Sequence, residues 1–308
     1  MEGILIIDKP EGWTSHDVVA RARRVLREKR VGHTGTLDPF ATGVLVLLVG
    51  RATRLAQFLS GAEKEYAATV RLGFATDTGD LTGARREAEG TADCAALKLE
   101  ELEAALAPLR GEFAQVPPMY SAKKVGGRKL YELARRGEEV EREAVPVRVS
   151  AFEIVRDGDG RFLTSNEDAT CDVRVRVVCS AGTYVRALAE SLGENLGMGA
   201  HLGELRRTRA GEFGLERAVT LEELPRLVEA GGEFLVPLEA ALPHLPSQHL
   251  TAEDASRVRH GAAVRARGTW EDGAHVAFFD ERGALLAVGA YDAADEVLRP
   301  RVMLAVEK

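Results

Sequence analysis

Two kinds of hydrophobic spacing along the chain predict a mixture of strands and helices. The run "GILIIDKP" is apolar up to Pro10 and predicts a buried strand. In "WTSHDVVARARRVLRE" the apolar residues share one helical face, opposite an arginine-rich face, so a helix capped by Thr14 or Ser15 is predicted, with Asp17 in its first turn. The run "GVLVLLVG" is apolar on both sides and predicts a central strand.

Further along, strands and helices are predicted by the same patterns. "YAATVRLGF" alternates with period two and predicts a strand that starts at Tyr66. "LKLEELEAALAPLRG" has the spacing of an amphipathic helix. In "CDVRVRVVCSAGTYVRALAESLGENLG" an alternating strand is followed by a turn and a helical stripe, which places Arg186 in the first turn of a helix.

Breaks in the pattern predict two domains and one projecting lobe. Residues 116–140 combine prolines, a Gly-Gly turn and a basic amphipathic helix, and we expect a mobile lobe that grips RNA. Two prolines in "ALPHLPSQHL" mark a linker. We therefore expect a catalytic domain over residues 1–245 and a small β domain over 249–308, in which "HVAFFDERGALLAVGAY" forms a hairpin turning at "DERG".

The composition is that of an ordinary globular protein: 45% of the 308 residues are hydrophobic and 29% are charged. The N-terminus lacks the order of a signal peptide, and no apolar run is long enough to span a bilayer. We expect a cytoplasmic protein without a membrane partner. Three irregularly spaced cysteines indicate neither a disulfide framework nor a zinc site, and Cys171 and Cys179 are interpreted as core residues of one strand.

Charge is unevenly distributed. The formal net charge of −7 argues weakly against nucleic acid, yet six basic residues lie between Arg21 and Arg30 and six more between Lys123 and Arg136. A third cluster contains Arg206, Arg207 and Arg209. Such runs are often solvated faces, but three of them in an acidic chain favour contacts with phosphate.

One carboxylate stands out in "GHTGTLDPFATGVL". Asp38 precedes a proline and a buried strand, and an Asp-Pro pair is commonly no more than a turn. The surrounding Gly32, Gly35, Thr34 and Thr36 favour instead a substrate that approaches the backbone closely.

A reactive carboxylate needs a partner that keeps it ionised, and arginine lowers the pKa of a neighbouring acid without giving up its own proton. Arg186 is placed for that role, although a surface ion pair is the plain alternative. Tyr66 is by default a core aromatic, but it could stack on a base and pass a proton. His33 could close a turn or contact substrate.

The longest of these motifs, "RVGHTGTLDPFATGVLVLLVGRATR", resembles the signature of the TruB family of tRNA pseudouridine synthases. The resemblance continues through "DKPEGWTSHDVV", "KEYAATVRLGFATDTGD", "VPPMYSAKKVGGRKLYELARRGEEV", "CSAGTYVRALAESLG" and "GAHLGELRRTRAGEF". It covers nearly all of residues 3 to 215. The tail is similar to a PUA-like RNA-binding domain. A longer loop from Asp157 to Thr170, and Lys123 where an apolar residue is frequent, depart from the family pattern.

The resemblance implies an α+β fold, with a mixed, mainly antiparallel sheet flanked by helices and a small PUA-like β domain. It assigns the catalytic aspartate to Asp38, the active-site tyrosine to Tyr66 and the arginine paired with the aspartate to Arg186. The positions that contact uridine correspond to His33, Tyr184 and Leu205. Lys9 matches a lysine-proline motif that packs behind the active-site loop and is counted with the substrate-binding residues.

The implied reaction is the isomerisation of uridine 55, in the T arm of tRNA, to pseudouridine. It would use a flipped-out base and need no cofactor, metal or guide RNA. Asp38 would act as a nucleophile or as a base, and the sequence leaves both open. We expect a monomer.

Two other functions are compatible with the same residues. An RNA-binding or tRNA-folding factor would use the basic clusters with Asp38 only shaping its loop, and such a folding role could also accompany the enzyme activity. A relative that works with guide RNAs would act on another uridine, but the small C-terminal domain favours the standalone bacterial type.

Overall fold

The computed structural model describes residues 1–86, 93–121, 123–134, 136–138 and 140–304. Strands precede and follow every longer helix. The strands are β1 Gly3–Lys9, β2 Val31–His33, β3 Thr42–Val49, β4 Lys64–Leu72, β5 Gly111–Gln115, β6 Lys124–Val125, β7 Arg128–Lys129, β8 Val145–Ile154, β9 Thr164–Ser165, β10 Cys171–Cys179, β11 Ala200–Ala210, β12 Phe213–Gly214, β13 Val219–Thr220, β14 Ser247–His249, β15 Val264–Arg265, β16 His275–Phe279, β17 Leu285–Asp292 and β18 Val297–Met303. The α-helices are α1 Ser15–Leu26, α2 Ala56–Leu59, α3 Leu99–Leu106, α4 Leu130–Ala134, α5 Val185–Asn195, α6 Leu224–Glu229 and α7 Ala252–Arg259.

One large sheet organises the first 220 residues. Its strand order is β13-β1-β3-β11-β4-β10-β8-β5, with β2, β9 and β12 paired to its sides. The pairs β1–β13 and β3–β11 are parallel, and the other pairs of this sheet are antiparallel. The predicted α+β fold with a mixed, mainly antiparallel sheet is confirmed.

Strand β3 lies inside the sheet, as its apolar sequence predicts. Leu45, Leu47 and Val49 belong to the larger core, which also contains residues of α1 and α5. The alternate side chains Val44 and Val46 belong to a second core on the opposite face of the sheet. Because both faces of the sheet are covered here, the residues of β3 are apolar on both sides of the strand and do not alternate with polar ones.

The first helix starts where its sequence predicts. Thr14 is the N-cap, and its hydroxyl and backbone exchange hydrogen bonds with Asp17 in a capping box. Arg27, in the left-handed conformation, ends the helix. The buried face is formed by Val18, Val19, Ala22 and Leu26, so α1 is held by its packing on the sheet.

A second, five-stranded sheet follows from Ser247, in the order β14-β16-β17-β18-β15. Helix α7, capped by Thr251, belongs to the same part of the chain, and the predicted β16–β17 hairpin turns at residues 280–283. Ala277, Leu285 and Val288 of this sheet share the second core with Ile4 and Ile6 of β1. The small sheet therefore covers one face of the large sheet.

Two expectations from the sequence need correction. Cys171 and Cys179 are buried in β10 as predicted, but Cys171 forms a disulfide with Cys94, with 6.0 Å between their Cα atoms. The chain folds back over 77 residues to make this contact, which spacing alone does not reveal.

The third basic cluster is the other correction, because its charges are engaged within the protein. Arg206 pairs with Asp8, and Arg209 pairs with Glu63 and Glu65. The Arg207 side chain is buried. In the second cluster Arg135 and the side chains of Lys124 and Lys129 lie outside the described residues. No helix in the described ranges is long and apolar enough to cross a membrane.

Candidate active site

A cavity of about 300 Å³ opens where three segments of the large sheet meet: the loop between β2 and β3, the first residues of β4, and the turn between β10 and α5. Five of the seven residues singled out in the sequence line it, namely Asp38, Tyr66, Tyr184, Arg186 and Leu205. Its size is at the lower end of the range of small-molecule sites.

Asp38 and Arg186 form an ion pair at this cavity. The Nε of Arg186 lies 2.9 Å from Oδ2 of Asp38. The Arg186 side chain is only 4% exposed, whereas 35% of the Asp38 side chain is open to the cavity. The carboxylate is therefore presented to a ligand by a cation that is fixed in the protein.

Three further contacts hold the Arg186 guanidinium. Its Nη1 donates to the carbonyl of Thr78 at 2.7 Å and lies 3.6 Å from Oδ2 of Asp80, while its Nη2 donates to the carbonyl of Tyr120 at 2.7 Å. Asp80 is buried. A buried cation with two carboxylates and two carbonyls around it is well compensated for its lost hydration.

Asp80 is fixed by its own turn. Its Oδ1 accepts hydrogen bonds from the hydroxyl of Thr78 at 2.9 Å and from the hydroxyl and backbone N–H of Thr82 at 2.6 and 3.0 Å. The Asp38–Arg186–Asp80 arrangement thus joins the loop before β3, the first turn of α5 and the loop after β4.

Burial raises the pKa of Asp38 above its ordinary value, and the nearby Asp80 adds to this effect, while Arg186 and Lys9 oppose it. The sequence argument anticipated only the lowering effect of Arg186. The net upward shift makes Asp38 a stronger base than an exposed aspartate, because its conjugate acid holds the proton more tightly.

Tyr66 is the third residue of β4 and is buried beside Arg207. Burial raises the pKa of its hydroxyl, and the positive charge of the neighbouring Arg207 opposes that shift. Arg207 is itself fixed, since its Nε donates to the carbonyl of Val44 at 2.6 Å and its Nη2 to that of Gly35 at 3.1 Å. The cation beside Tyr66 is thereby bonded to the loop that carries Asp38.

Tyr184 is the N-cap of α5, and the side chain of Gln115 fixes its backbone. The amide oxygen of Gln115 accepts from the N–H of Tyr184 at 2.8 Å, and its Nε2 donates to the Tyr184 carbonyl at 3.1 Å. Leu205 lies in β11 and is buried at the cavity wall.

His33 and Lys9 lie beside the loop and do not line the cavity. The His33 ring packs edge-on against His16, with 5.6 Å between ring centroids, and burial lowers its pKa. Lys9 is fully buried, and its Nζ donates to the carbonyls of Pro10, Trp13 and Pro39.

In the motif around Asp38, the glycine whose position has no room for a side chain is Gly43, which the sequence argument did not name. A Cβ at Gly32 would meet nothing within 4 Å, and one at Gly35 would make ordinary contacts with Arg207 and Lys64. Gly43, at a φ of +95°, would place a Cβ 2.2 Å from the carbonyl oxygen of Arg207. Within the protein, the close approach that requires a glycine is therefore the one between β3 and β11.

One polar atom of the cavity wall is unsatisfied. The Oγ of Ser121 is buried and has no hydrogen-bond partner among the described residues, and Nδ1 of His33 shares that state. An unpaired buried polar group costs about 1–3 kcal/mol.

Sequence reasoning missed several residues of this site: Asp80, Gln115, Ser121, Lys64 and Arg207. Asp80 closes the motif "TDTGD", in which two threonines flank the first aspartate and a glycine precedes the second, and this was the available signal. Lys64 precedes Tyr66 by two residues and so shares its side of β4, and burial lowers its pKa to about 8. Within the described residues no group of three or more His, Cys, Asp or Glu side chains is arranged to hold a metal ion.

Two family models match consecutive parts of the chain. The model described as TruB family pseudouridylate synthase (N terminal domain) matches residues 23–185, and that described as tRNA pseudouridylate synthase B C-terminal domain matches residues 186–243. The first spans the loop of Asp38, and the second starts at Arg186.

Curated relatives match nearly the whole chain. Three proteins named tRNA pseudouridine synthase B are similar to it: those of Geobacillus thermodenitrificans (43% identical, covering 97% of this chain and 98% of the relative), Mycobacterium tuberculosis (43%, 98% and 97%) and Mycolicibacterium paratuberculosis (45%, 98% and 99%).

Solved structures share the fold. A chain in the structure of an H/ACA RNP bound to a substrate RNA containing 2'-deoxyuridine matches with a TM-score of 0.72 and 27% identity, covering 99% of this chain and 85% of that one. A chain of the archaeal box H/ACA sRNP Nop10-Cbf5 complex matches with a TM-score of 0.67 and 30% identity, covering 100% and 85%.

Proposed function

The chain belongs to the TruB family of pseudouridylate synthases, and from this premise we propose that it isomerises uridine 55 in the T arm of tRNA to pseudouridine. The names of its bacterial relatives, whose lengths it matches almost completely, support tRNA as the substrate. No cofactor, metal ion or guide RNA takes part in the proposed reaction.

The observation that carries the proposal is the placement of Asp38. Its carboxylate faces a cavity of nucleoside size, is paired at 2.9 Å with a buried arginine, and has Tyr66 and Leu205 in the same wall. This arrangement offers a reactive carboxylate, the Tyr66 hydroxyl and apolar surface for a flat base.

The reaction exchanges one bond for another on the same base. The bond from N1 of uracil to C1' of ribose breaks, the base turns, and a bond from C5 to C1' forms. Asp38 either attacks the sugar or base to give a covalent intermediate, or removes a ribose proton. The proton on C5 must then leave while N1 gains one, and we assign this exchange to Tyr66: its neutral hydroxyl passes its own proton on toward N1 as it takes the proton from C5, so no net proton is gained or lost.

The target base is stacked in folded RNA, so it must leave the stack to reach Asp38. Flipping costs a few kcal/mol, which contacts between protein and RNA must offset. The cavity wall supplies some of these contacts: Leu205 and Tyr184 can pack against the base, and the Ser121 hydroxyl has a free hydrogen-bonding capacity. Enclosure also keeps the freed uracil next to its sugar.

We extend the proposal to the rest of the chain. Residues 1–245 form the catalytic domain, residues 249–308 a PUA-like domain that binds RNA, and the lobe of residues 116–140 closes on the T arm. His33 and Lys9 support the loop next to the bound nucleotide. The protein works as a monomer.

A single assay tests the proposed function. Purified protein is incubated with an unmodified tRNA transcript and a chelator, without ATP or guide RNA, and pseudouridine is mapped by nucleotide. Modification at the T-arm uridine is expected. Modification at another uridine would revise the substrate, and none at all would refute the activity.

A further inference from the structure

Trp13 is an exposed aromatic residue beside the catalytic loop. Its exposed fraction is 38%, which places it among the few large hydrophobic residues left open to solvent in the described structure. The second tryptophan, Trp270, packs edge-on against Tyr291, at 5.5 Å between ring centroids. A single exposed tryptophan is common on protein surfaces, so a function for Trp13 depends on the residues around it.

Those surroundings are basic. Trp13 lies in a shallow depression with Gly12, Asp17, Ala20, Arg21 and Arg24 on the solvent side of α1. In the described structure neither Arg21 nor Arg24 has an ion-pair partner. The only acid in the depression, Asp17, is committed to the helix cap, because its Oδ2 accepts from the backbone and hydroxyl of Thr14 at 3.1 and 2.6 Å.

The same surface is rigidly connected to Asp38. The N–H of Gly12 donates to the carbonyl of Pro39 at 2.8 Å, and the buried Nζ of Lys9 donates to the carbonyls of both Trp13 and Pro39, at 2.7 and 3.1 Å. Ser15 adds two bonds, since its Oγ donates to the carbonyl of Leu37 at 3.1 Å and accepts from the Leu37 N–H at 2.9 Å. The turn of residues 10–15 and the loop of residues 37–39 therefore form one unit.

From these observations we propose that Trp13, Arg21 and Arg24 form a second RNA-contact surface, outside the catalytic cavity. Trp13 stacks on an unpaired base, and the two arginines contact the phosphates next to it. The surface rests on the proposed function, because its occupant is the RNA whose uridine enters the cavity. Charge complementarity selects RNA, because Arg21 and Arg24 have no ion-pair partner in the described part of the chain and the RNA backbone offers phosphates to both.

This surface would contribute binding without chemistry. Because the surface lies outside the cavity, its contacts with RNA are the same before and during the reaction at Asp38. Its loss should raise the Kd and KM for RNA and leave kcat at saturating RNA unchanged, as expected for interactions that are equal in the ground and transition states.

The first experiment uses Trp13 as its own reporter. In the full chain with Asp38→Asn and Trp270→Phe, Trp13 is the sole tryptophan, and its emission is followed while unmodified tRNA transcript is added. Quenching that saturates with the RNA concentration is expected. Unchanged emission at RNA concentrations that saturate a filter-binding assay would overturn the proposal.

The second experiment needs no fluorescence and keeps the wild-type Trp270. Trp13→Ala should weaken tRNA binding about fivefold or more, and Trp13→Phe should retain most of the affinity. The logarithm of the tRNA-binding constant falls linearly with the logarithm of the salt concentration, and Arg21→Ala and Arg24→Ala should each make this slope shallower by about 0.7–0.9. Arg217→Ala, at an exposed arginine outside the depression, is the matched control and should change neither quantity.

The outcomes separate this inference from the proposed function. If the wild-type protein makes pseudouridine while the Trp13 and arginine variants bind tRNA normally, the second surface is wrong and the enzyme assignment stands. If the variants lose affinity but the wild-type protein makes no pseudouridine, the surface stands and the reaction is wrong. Equal losses in Arg217→Ala would indicate nonspecific charge effects and would overturn the surface.

Discussion

The Nε of Arg186 lies 2.9 Å from Oδ2 of Asp38, yet the two side chains differ ninefold in exposure, 4% against 35%. The cation is locked in place by the carbonyls of Thr78 and Tyr120, and the anion faces the cavity. A ligand can therefore reach the free side of the carboxylate without disturbing its partner.

Replacing Asp38 with asparagine tests whether the carboxylate is the reactive group. The change preserves shape and removes charge, so pseudouridine formation should fall by about 10²- to 10⁴-fold or more, while tRNA affinity stays within a few-fold of wild type. Single-turnover assays and filter binding measure the two quantities. Retained turnover would remove Asp38 from the chemistry.

Replacing Arg186 tests what sets the ionisation of Asp38. Burial raises the pKa of Asp38 and Arg186 opposes that shift, so Arg186→Gln should raise this pKa further. The acidic limb of kcat/KM against pH should then move to higher pH, because Asp38 must be ionised to act. Arg186→Lys retains the charge and should move the limb less. Coinciding limbs in all three proteins would show that another group titrates there.

Ser121→Ala has an unusual expected signature, a loss of activity without a loss of stability. The buried Ser121 hydroxyl has no partner in the part of the chain that the structure describes, so its removal should leave the free energy of unfolding unchanged or raise it by up to about 1–3 kcal/mol. If the hydroxyl bonds the bound nucleotide, kcat/KM should fall about two- to tenfold.

Ser15→Ala is the matched control for that measurement. Its hydroxyl makes two hydrogen bonds to Leu37, so its removal should lower the free energy of unfolding. Urea denaturation compares the two variants. A Ser121→Ala protein that is destabilised as much as Ser15→Ala would mean that its hydroxyl already has a partner.

Lys9 predicts a pH dependence of stability. Burial lowers its pKa from 10.5 to about 8, so between these values the unfolded chain holds a proton that the folded chain releases. Below pH 8 both the folded and the unfolded chain hold the Lys9 proton, so folding carries the full cost of burying the charge. Above pH 8 the folded chain releases the proton, and this cost falls as the pH rises. The free energy of unfolding of wild type relative to Lys9→Met should therefore increase from pH 8 to pH 9, by at most about 1.4 kcal/mol.

Urea denaturation of wild type and Lys9→Met at pH 7, 8 and 9 measures this change. Titratable groups that both proteins contain contribute equally, so they cancel in the difference between the two free energies of unfolding. A constant difference between the two proteins would show that Lys9 keeps its ordinary pKa. Lys64→Met provides a parallel case, because Lys64 also has a pKa of about 8.

The elements were predictable from the sequence where one local pattern determines each of them. The capping residues Thr14 and Asp17 mark the start of α1, and the two-sided apolar run of β3 marks its central place. The Cys94–Cys171 bond was missed because nothing local signals a pairing across 77 residues.

The candidate site divides in the same way. Asp38 stands in a long and distinctive motif, and Arg186 follows a strand and a turn that fix its position at a helix start. Gln115 and Arg207 act through hydrogen bonds to backbone atoms of distant segments, such as Tyr184 and Val44. Such partners depend on the tertiary fold, so spacing along the chain cannot identify them.

The shared core between the two sheets changes what a shortened chain would report. Ile4, Ile6 and Val46 of the large sheet are covered by Leu285 and Val288 of the small one, and β3 continues directly from the loop of Asp38. In a protein truncated before residue 247, the face of β3 that carries Val44 and Val46 would lose the cover of the small sheet and be exposed to water. Its lost activity would measure a damaged scaffold, so the RNA-binding share of the tail is better isolated by surface substitutions.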